Sequence, residues 1–225
     1  MKYSVHPVAK ISHFVNQGFK ITGVIHIGAN DGEEVPSYMD MGIENIICFE
    51  PIPEKCDHIV KNYTQVVAVN CAVGDKNKYS TLYLTDDDSL KGSSLLKDID
   101  KEKKFNFQKQ KSGGISCRVI RMDSFLKNRP DIMFGDFNCV VIDTQGYELN
   151  VLKGFGDDIR LFDFWNIECS RVPVYEGEAA AEEVSDFMDK NGFIRDSPIE
   201  DHNDVFFVSK KIKSNSEQIF LGGVV

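Results

Sequence analysis

Apolar residues fall at two spacings along this chain. Val8, Ile11, Phe14 and Val15 recur at helical intervals over residues 7 to 17 and stop at Gly18, which predicts a short amphipathic helix. From Ile21 the pattern changes to continuous apolar runs: Gly23 to Ile27, Asn45 to Phe49, Val66 to Val69, Cys139 to Ile142 and Phe164 to Ile167. Runs of that length are strands buried on both faces. Helical stretches stand between them at 33 to 41, 53 to 62, 147 to 153 and 178 to 190, the last closed by Asn191-Gly192. Strand and helix in alternation predict an α/β fold, a parallel sheet with helices on both faces.

Two stretches depart from that alternation. The strands Phe193 to Arg195 and Asp204 to Val208 are separated by the eight residues Asp196 to Asn203, whereas a parallel crossover needs about a dozen. The last strand therefore turns back antiparallel, giving a mostly parallel seven-stranded sheet with a reversed C-terminal hairpin. From Tyr79 to Arg121 the chain reads strand (Tyr79 to Leu84), long polar segment (Thr85 to Gly114) and strand (Ile115 to Arg121). Residues 97 to 111 hold six Lys against Asp98, Asp100 and Glu102, and both a solvated loop and a lid over an anionic substrate fit them. The expected organisation is a capping helix in 1–20 at one end of the sheet and a single domain over 21–210 with an insertion or lid at 85–114. A tail at 211–225 follows, whose apolar Ile219 to Val225 suits packing on the core or in a homo-oligomer.

Length and composition narrow the class. The chain has 225 residues, 42% hydrophobic and 27% charged, enough for one buried core and too regular for disorder. A formal net charge of −9 repels phosphate backbones and anionic lipid, so neither nucleic acid nor a membrane surface is an expected partner. No apolar run reaches the roughly 20 residues of a membrane span, and the start lacks a leader pattern; a cytoplasmic protein is expected. Cys48, Cys56, Cys71, Cys117, Cys139 and Cys169 form no C-x-x-C pair and read as reduced, buried thiols.

The first strand runs into Gly28-Ala29-Asn30-Asp31-Gly32-Glu33 and a helix, at the sheet edge where doubly wound folds bind nucleotides. A pyrophosphate-binding turn needs glycine at positions 30 and 33. Asn30, Asp31 and Glu33 oppose it, so the expected ligand is nucleoside-like without a phosphate. Glu50 ends the second strand 18 residues beyond Gly32, where an acid meets ribose hydroxyls, and Pro51 and Pro53 fix it at the rim. Asn70-Cys71-Ala72 follow the third strand with small and amide side chains where an adenine fits. An adenosine site without pyrophosphate recognition, beside a reversed terminal hairpin, points to S-adenosylmethionine.

At these residues the chain resembles the FkbM-type methyltransferases, a branch of the class I S-adenosylmethionine-dependent enzymes with a Rossmann-like fold. The resemblance covers about residues 21 to 210. It rests on residues 24 to 32 (Val24 to Gly32), Phe49-Glu50-Pro51, Ser93-Ser94-Leu95, Met122 to Leu126, Ile142 to Gly154, and Glu168 followed by Tyr175-Glu176-Gly177. It implies that Gly28, Asn30 and Gly32 contact the methionine part of the cofactor and Glu50 its ribose. Such enzymes carry an acid two residues before the first glycine, where this chain has His26, a pocket residue or a packed neutral imidazole.

An alkyl hydroxyl is a weak nucleophile that needs a base, and Asp143, ending the fourth strand beside the cofactor, is the first candidate. His26 is the second, because imidazole titrates near neutrality. Glu168 ends the fifth strand and shares the acceptor pocket with Arg171 and Tyr175, while Ser94 and Gln145 complete the acceptor contacts. Glu148, at a helix start, suits a capping role. No Asp-Asn or Asp-His pairing appears at the fourth and fifth strand ends, so no metal is expected. The sequence supports an O-methyltransferase acting on a hydroxyl of a small molecule or glycan. A nicotinamide-dependent oxidoreductase and a non-catalytic binding module are the alternatives.

Overall fold

The computed structural model describes residues 7–99, 110–200 and 203–213. In chain order the elements are α1 (Pro7–Asn16), β1 (Gly23–Ile27), α2 (Val35–Asp40), β2 (Asn45–Phe49), α3 (Pro53–Asn62), β3 (Val67–Val69), β4 (Ala72–Val73), β5 (Lys78–Leu82) and β6 (Ile115–Ile120). Then come α4 (Met122–Asn128), β7 (Cys139–Ile142), α5 (Glu148–Phe155), β8 (Phe164–Cys169), α6 (Ala181–Lys190), β9 (Phe193–Arg195) and β10 (Asn203–Ser209). Seven strands form one sheet in the order β3-β2-β1-β7-β8-β10-β9. All run parallel except β10, which pairs antiparallel with β8 and β9. The order reverses between β1 and β7, which opens a crevice at the carboxyl ends of those strands.

Period-two alternation divides the side chains between the two faces. Ile25, Ile27, Ile47, Phe49, Val140, Ile142, Trp165, Ile167, Val205 and Phe207 pack with α5 and α6. Val24, Ile46, Cys48, Cys139, Val141, Phe164, Phe206 and Val208 pack with Ile11 and Phe14 of α1, Val35 and Tyr38 of α2, and Ile59 of α3. Trp165 lies edge-on to Phe155 and Phe193, with ring centroids 4.9 and 5.8 Å away, and is wholly buried. All six cysteines are unpaired and buried.

Several details differ from the expectation. The helix α1 covers a sheet face rather than an end: Phe14 stacks on Phe206 at 4.8 Å and meets Phe164 at 5.5 Å. The strands around the long polar segment leave the main sheet and join β4 in a separate three-stranded sheet, β4-β6-β5. The two-residue β4 and the short α4 are too brief for periodicity to reveal. Most of the lysine-rich stretch, and the tail from 214, lie outside the described residues. No helix among the described residues is long and apolar enough to cross a membrane.

Because Phe14 is 5% exposed and packs against Phe19, Phe164 and Phe206, Phe14→Ala is expected to cost about 3–5 kcal/mol in urea unfolding. A loss under about 1 kcal/mol would show that α1 lies outside the cooperative unit.

Candidate active site

The switch point holds a cavity of about 450 Å³. Its floor is made by strand ends. His26 pairs in register with Val141, and Val141 with Asn166; two residues further on, Asp143 just past β7 and Glu168 near the end of β8 fall on that same face. Asp204 of β10 lies directly opposite Glu168. Three carboxylates therefore stand side by side on adjacent strands, all lining the cavity with His26 and Glu34. Gln145, in the turn after β7, donates from Nε2 to Asp143 Oδ1 at 2.7 Å and to Glu168 Oε2 at 2.5 Å.

Gly28, at φ +85°, is required by backbone packing: a Cβ there would lie 1.7 Å from the Asp143 carbonyl oxygen. Gly32 lies off the cavity lining, with its Cα turned toward Tyr63 and Ile59. Asn30 lines the cavity at φ +46°. Its backbone N–H and that of Ile52 each donate to one oxygen of the Glu50 carboxylate at 2.8 Å. Asn70 stays off the cavity and donates to the Glu50 carbonyl at 2.9 Å, holding the end of β2. Pro51, Cys71 and Ala72 line the cavity's apolar half with Ile52, Val73, Leu82 and Leu95.

The described part of the polar segment straps across the opening. Leu90, Lys91, Ser93 and Leu95 face the cavity. Lys91 pairs with Glu33 at 2.6 Å, Asn30 Nδ2 donates to the Ser89 carbonyl at 3.1 Å, and Ser94 Oγ donates to the Gln145 carbonyl at 2.6 Å. Tyr175 reaches the site indirectly, its hydroxyl lying 3.3 Å from Gln145 Oε1. Arg171 does not join them: it donates to the Ile199 carbonyl at 2.6 Å, sits 3.5 Å from Glu182 and is absent from the cavity wall. His26 is buried, its Nδ1 3.3 Å from the Tyr38 hydroxyl and 4.0 Å from Glu34. Pocket residue and packed imidazole are both true of it. Glu34 and Asp204 carry no sequence signal of their own; only α2 and the β8–β10 register bring them here.

Burial dominates the electrostatics. It pushes Glu50 up to about 7 against the two backbone bonds that lower it. Asp204 rises to about 7, burial outweighing its bond from Asn166. Glu168 is raised well above the ordinary range by burial first and then by Asp143. Glu148 is buried and accepts from Thr144 N, Thr144 Oγ1 and Gly146 N, each at 3.0 Å, so it caps the turn; burial still lifts it to about 7.

An apolar half, a carboxylate at a strand rim and an acidic half suit a nucleoside carrying a cationic tail. A family model, the Methyltransferase FkbM domain, matches residues 26–195. The chain belongs to this family. It is an S-adenosylmethionine-dependent methyltransferase, which sets aside both the nicotinamide-dependent and the non-catalytic alternatives.

Among solved structures, the methyltransferase is similar to a putative RNA methyltransferase from Pyrococcus horikoshii (11% identity, 92% of this chain and 87% of that chain, TM-score 0.46). It is also similar to magnesium protoporphyrin IX methyltransferase from Synechocystis PCC 6803 with bound S-adenosylmethionine (8% identity, 93% and 86%, TM-score 0.45). Comparison with curated proteins finds no match. The cofactor fits the residues present: Asn30 Oδ1 is buried on the cavity turn without a hydrogen-bond partner, and Glu50 keeps lone pairs beyond its two backbone bonds. Among the described residues no group of three or more His, Cys, Asp or Glu is arranged to hold a metal ion.

Two outcomes are expected of the methyltransferase. Glu50→Ala weakens binding of S-adenosylhomocysteine about tenfold or more in calorimetry; an unaltered dissociation constant would move the ribose site elsewhere. Glu50, Glu148 and Asp204 also hold protons in the folded chain that the unfolded chain releases above its ordinary values of 4.5, 4.5 and 3.8. Their stabilisation is full below those values and is lost as pH rises through about 7. The urea midpoint should thus be higher at about pH 5 than at about pH 8, and Glu148→Gln should flatten the slope. A midpoint that climbs over that interval would contradict the protonated burial.

Proposed function

We propose that the protein methylates a hydroxyl of a neutral sugar or glycan, with Asp143 as base. The observation that carries this reading is the carboxylate row Asp143, Glu168 and Asp204 at the cavity wall. Carboxylates accept hydrogen bonds from hydroxyls and repel anions, so a polyol suits this wall better than a phosphate or an acidic saccharide. The same repulsion weighs against a lid that recruits anions through the lysine-rich segment.

When bound, S-adenosylmethionine supplies the methyl group on a sulfonium. Glu50 would hold the ribose hydroxyls, and Asn30 Oδ1 would accept from the cofactor's ammonium. Ile52, Ala72 and Leu82 would enclose the adenine, with Pro51 and Cys71 beside it. Gly28 sets the turn by its backbone, and His26, on the cavity wall, would lie beside the methionine end. Ser94 fixes the strap and so excludes water. Holding the acceptor oxygen in line with the methyl carbon can lower the barrier by about 7–11 kcal/mol. Transfer of the methyl group from the cofactor's sulfur to the acceptor oxygen would release the hydroxyl proton, which Asp143 would accept. Burial and its neighbour hold the Glu168 pKa above the ordinary range, and the accepting role is given to Asp143, which follows β7 at the switch point.

Asp143→Asn is expected to lower turnover by about 10²–10⁴-fold while cofactor affinity stays within a few fold. Incubation with methyl-labelled cofactor and a glycan panel, followed by location of the label, supplies the assay. Label on nitrogen or carbon, or full turnover by Asp143→Asn, would refute the reading.

A further inference from the structure

We propose that Gln145 is a positioning residue: its amide holds the Asp143–Glu168 carboxyl pair, and the Tyr175 hydroxyl sets which way that amide faces. The proposal takes the Asp143 reading as its starting point and gives Gln145 a role other than acceptor contact. Both N–H bonds of the amide are used within the chain, one toward Asp143 Oδ1 and one toward Glu168 Oε2. The amide oxygen lies 3.3 Å from the Tyr175 hydroxyl, which donates to it or to the Gly92 carbonyl at 3.2 Å. The backbone carbonyl accepts from Ser94 Oγ. Neither amide hydrogen remains for an acceptor.

Reversing the amide would set Oε1 against two carboxyl groups and remove the acceptor that the Tyr175 hydroxyl meets at 3.3 Å. Burial raises the Tyr175 phenol further above its ordinary value, so it remains a donor. Gln145 also holds φ +55°, a left-handed conformation that Gly or Asn adopts more readily. Such a backbone persists where its surroundings over-determine it, and here the strap, the Tyr175 loop and two strand ends all bond to one residue. The other groups facing the pair are Asp204 from β10, Glu148 from α5, and Glu34, Glu50 and His26 around the cavity. Nearly all are acids, so the amide's two donors favour the ionised pair against a repulsive field.

The test is carboxyl carbon NMR titration of protein labelled at Asp and Glu, which needs no acceptor. Gln145→Leu should raise the titration midpoint of the pair by about one pH unit. Gln145→Glu, the same size but adding a third carboxyl, should raise it further. Tyr175→Phe, which leaves Gln145 in place, should raise it by about half a unit and decides the matter alone if the Gln145 variants do not fold. With an acceptor in hand, the acid limb of kcat/KM should move up in the same order while KM for the acceptor stays within about threefold. Midpoints that stay in place, or a raised acceptor KM with an unmoved acid limb, overturn the proposal. If Asp143→Asn still turns over while Gln145→Leu moves the Glu168 midpoint, the base assignment fails and the positioning role stands.

Discussion

The site depends on a contact between two parallel strand ends that leaves no room for a side chain. β1 and β7 lie in register through Ile27 and Ile142, and Gly28 turns so near the Asp143 carbonyl that any side chain would collide with it. The strand order reverses at that contact, and the crevice opens above it. The turn then delivers Asn30 to the cavity wall, and the Asn30 N–H ties Glu50 of β2 into the same wall. On the other side, Asp143 leaves β7 beside Glu168 of β8.

The cavity wall and the turn behind it gather acids that water would otherwise keep ionised. Taking a carboxylate out of water costs several kcal/mol after relaxation, and the chain answers in two ways. Glu50 and Glu148 receive backbone N–H donors, yet burial still brings both up to about 7. Glu168 and Asp204 stand opposite each other across an antiparallel pair and hold protons more firmly than free carboxyls do. A cationic cofactor relieves this strain by its charge.

Much of this was legible in the amino-acid order. The buried strands were read from uninterrupted apolar runs, and β1, β2, β7, β9 and α3 run between the predicted residues. The reversed hairpin followed from a linker too short for a crossover. Glu50 stands out by its spacing from the glycine turn, and Asp143 because it ends the fourth strand beside the switch point. By contrast, β4 is two residues long and α4 seven, below the length at which periodicity speaks. Arg171 looked like an acceptor contact from its place after β8, but its guanidinium finds a carbonyl and Glu182 outside the cavity.

The sequence by itself determined the layers, the strand directions and the family, because apolar period, linker length and the glycine turn are local properties. Only the tertiary structure decided which side chains share the crevice. Asp204 meets Glu168 through a register across two strands, Glu34 meets His26 across a helix end, and Gln145 joins Ser94 to Tyr175 across three segments. Those meetings depend on pairing between distant residues, and no local spacing encodes them.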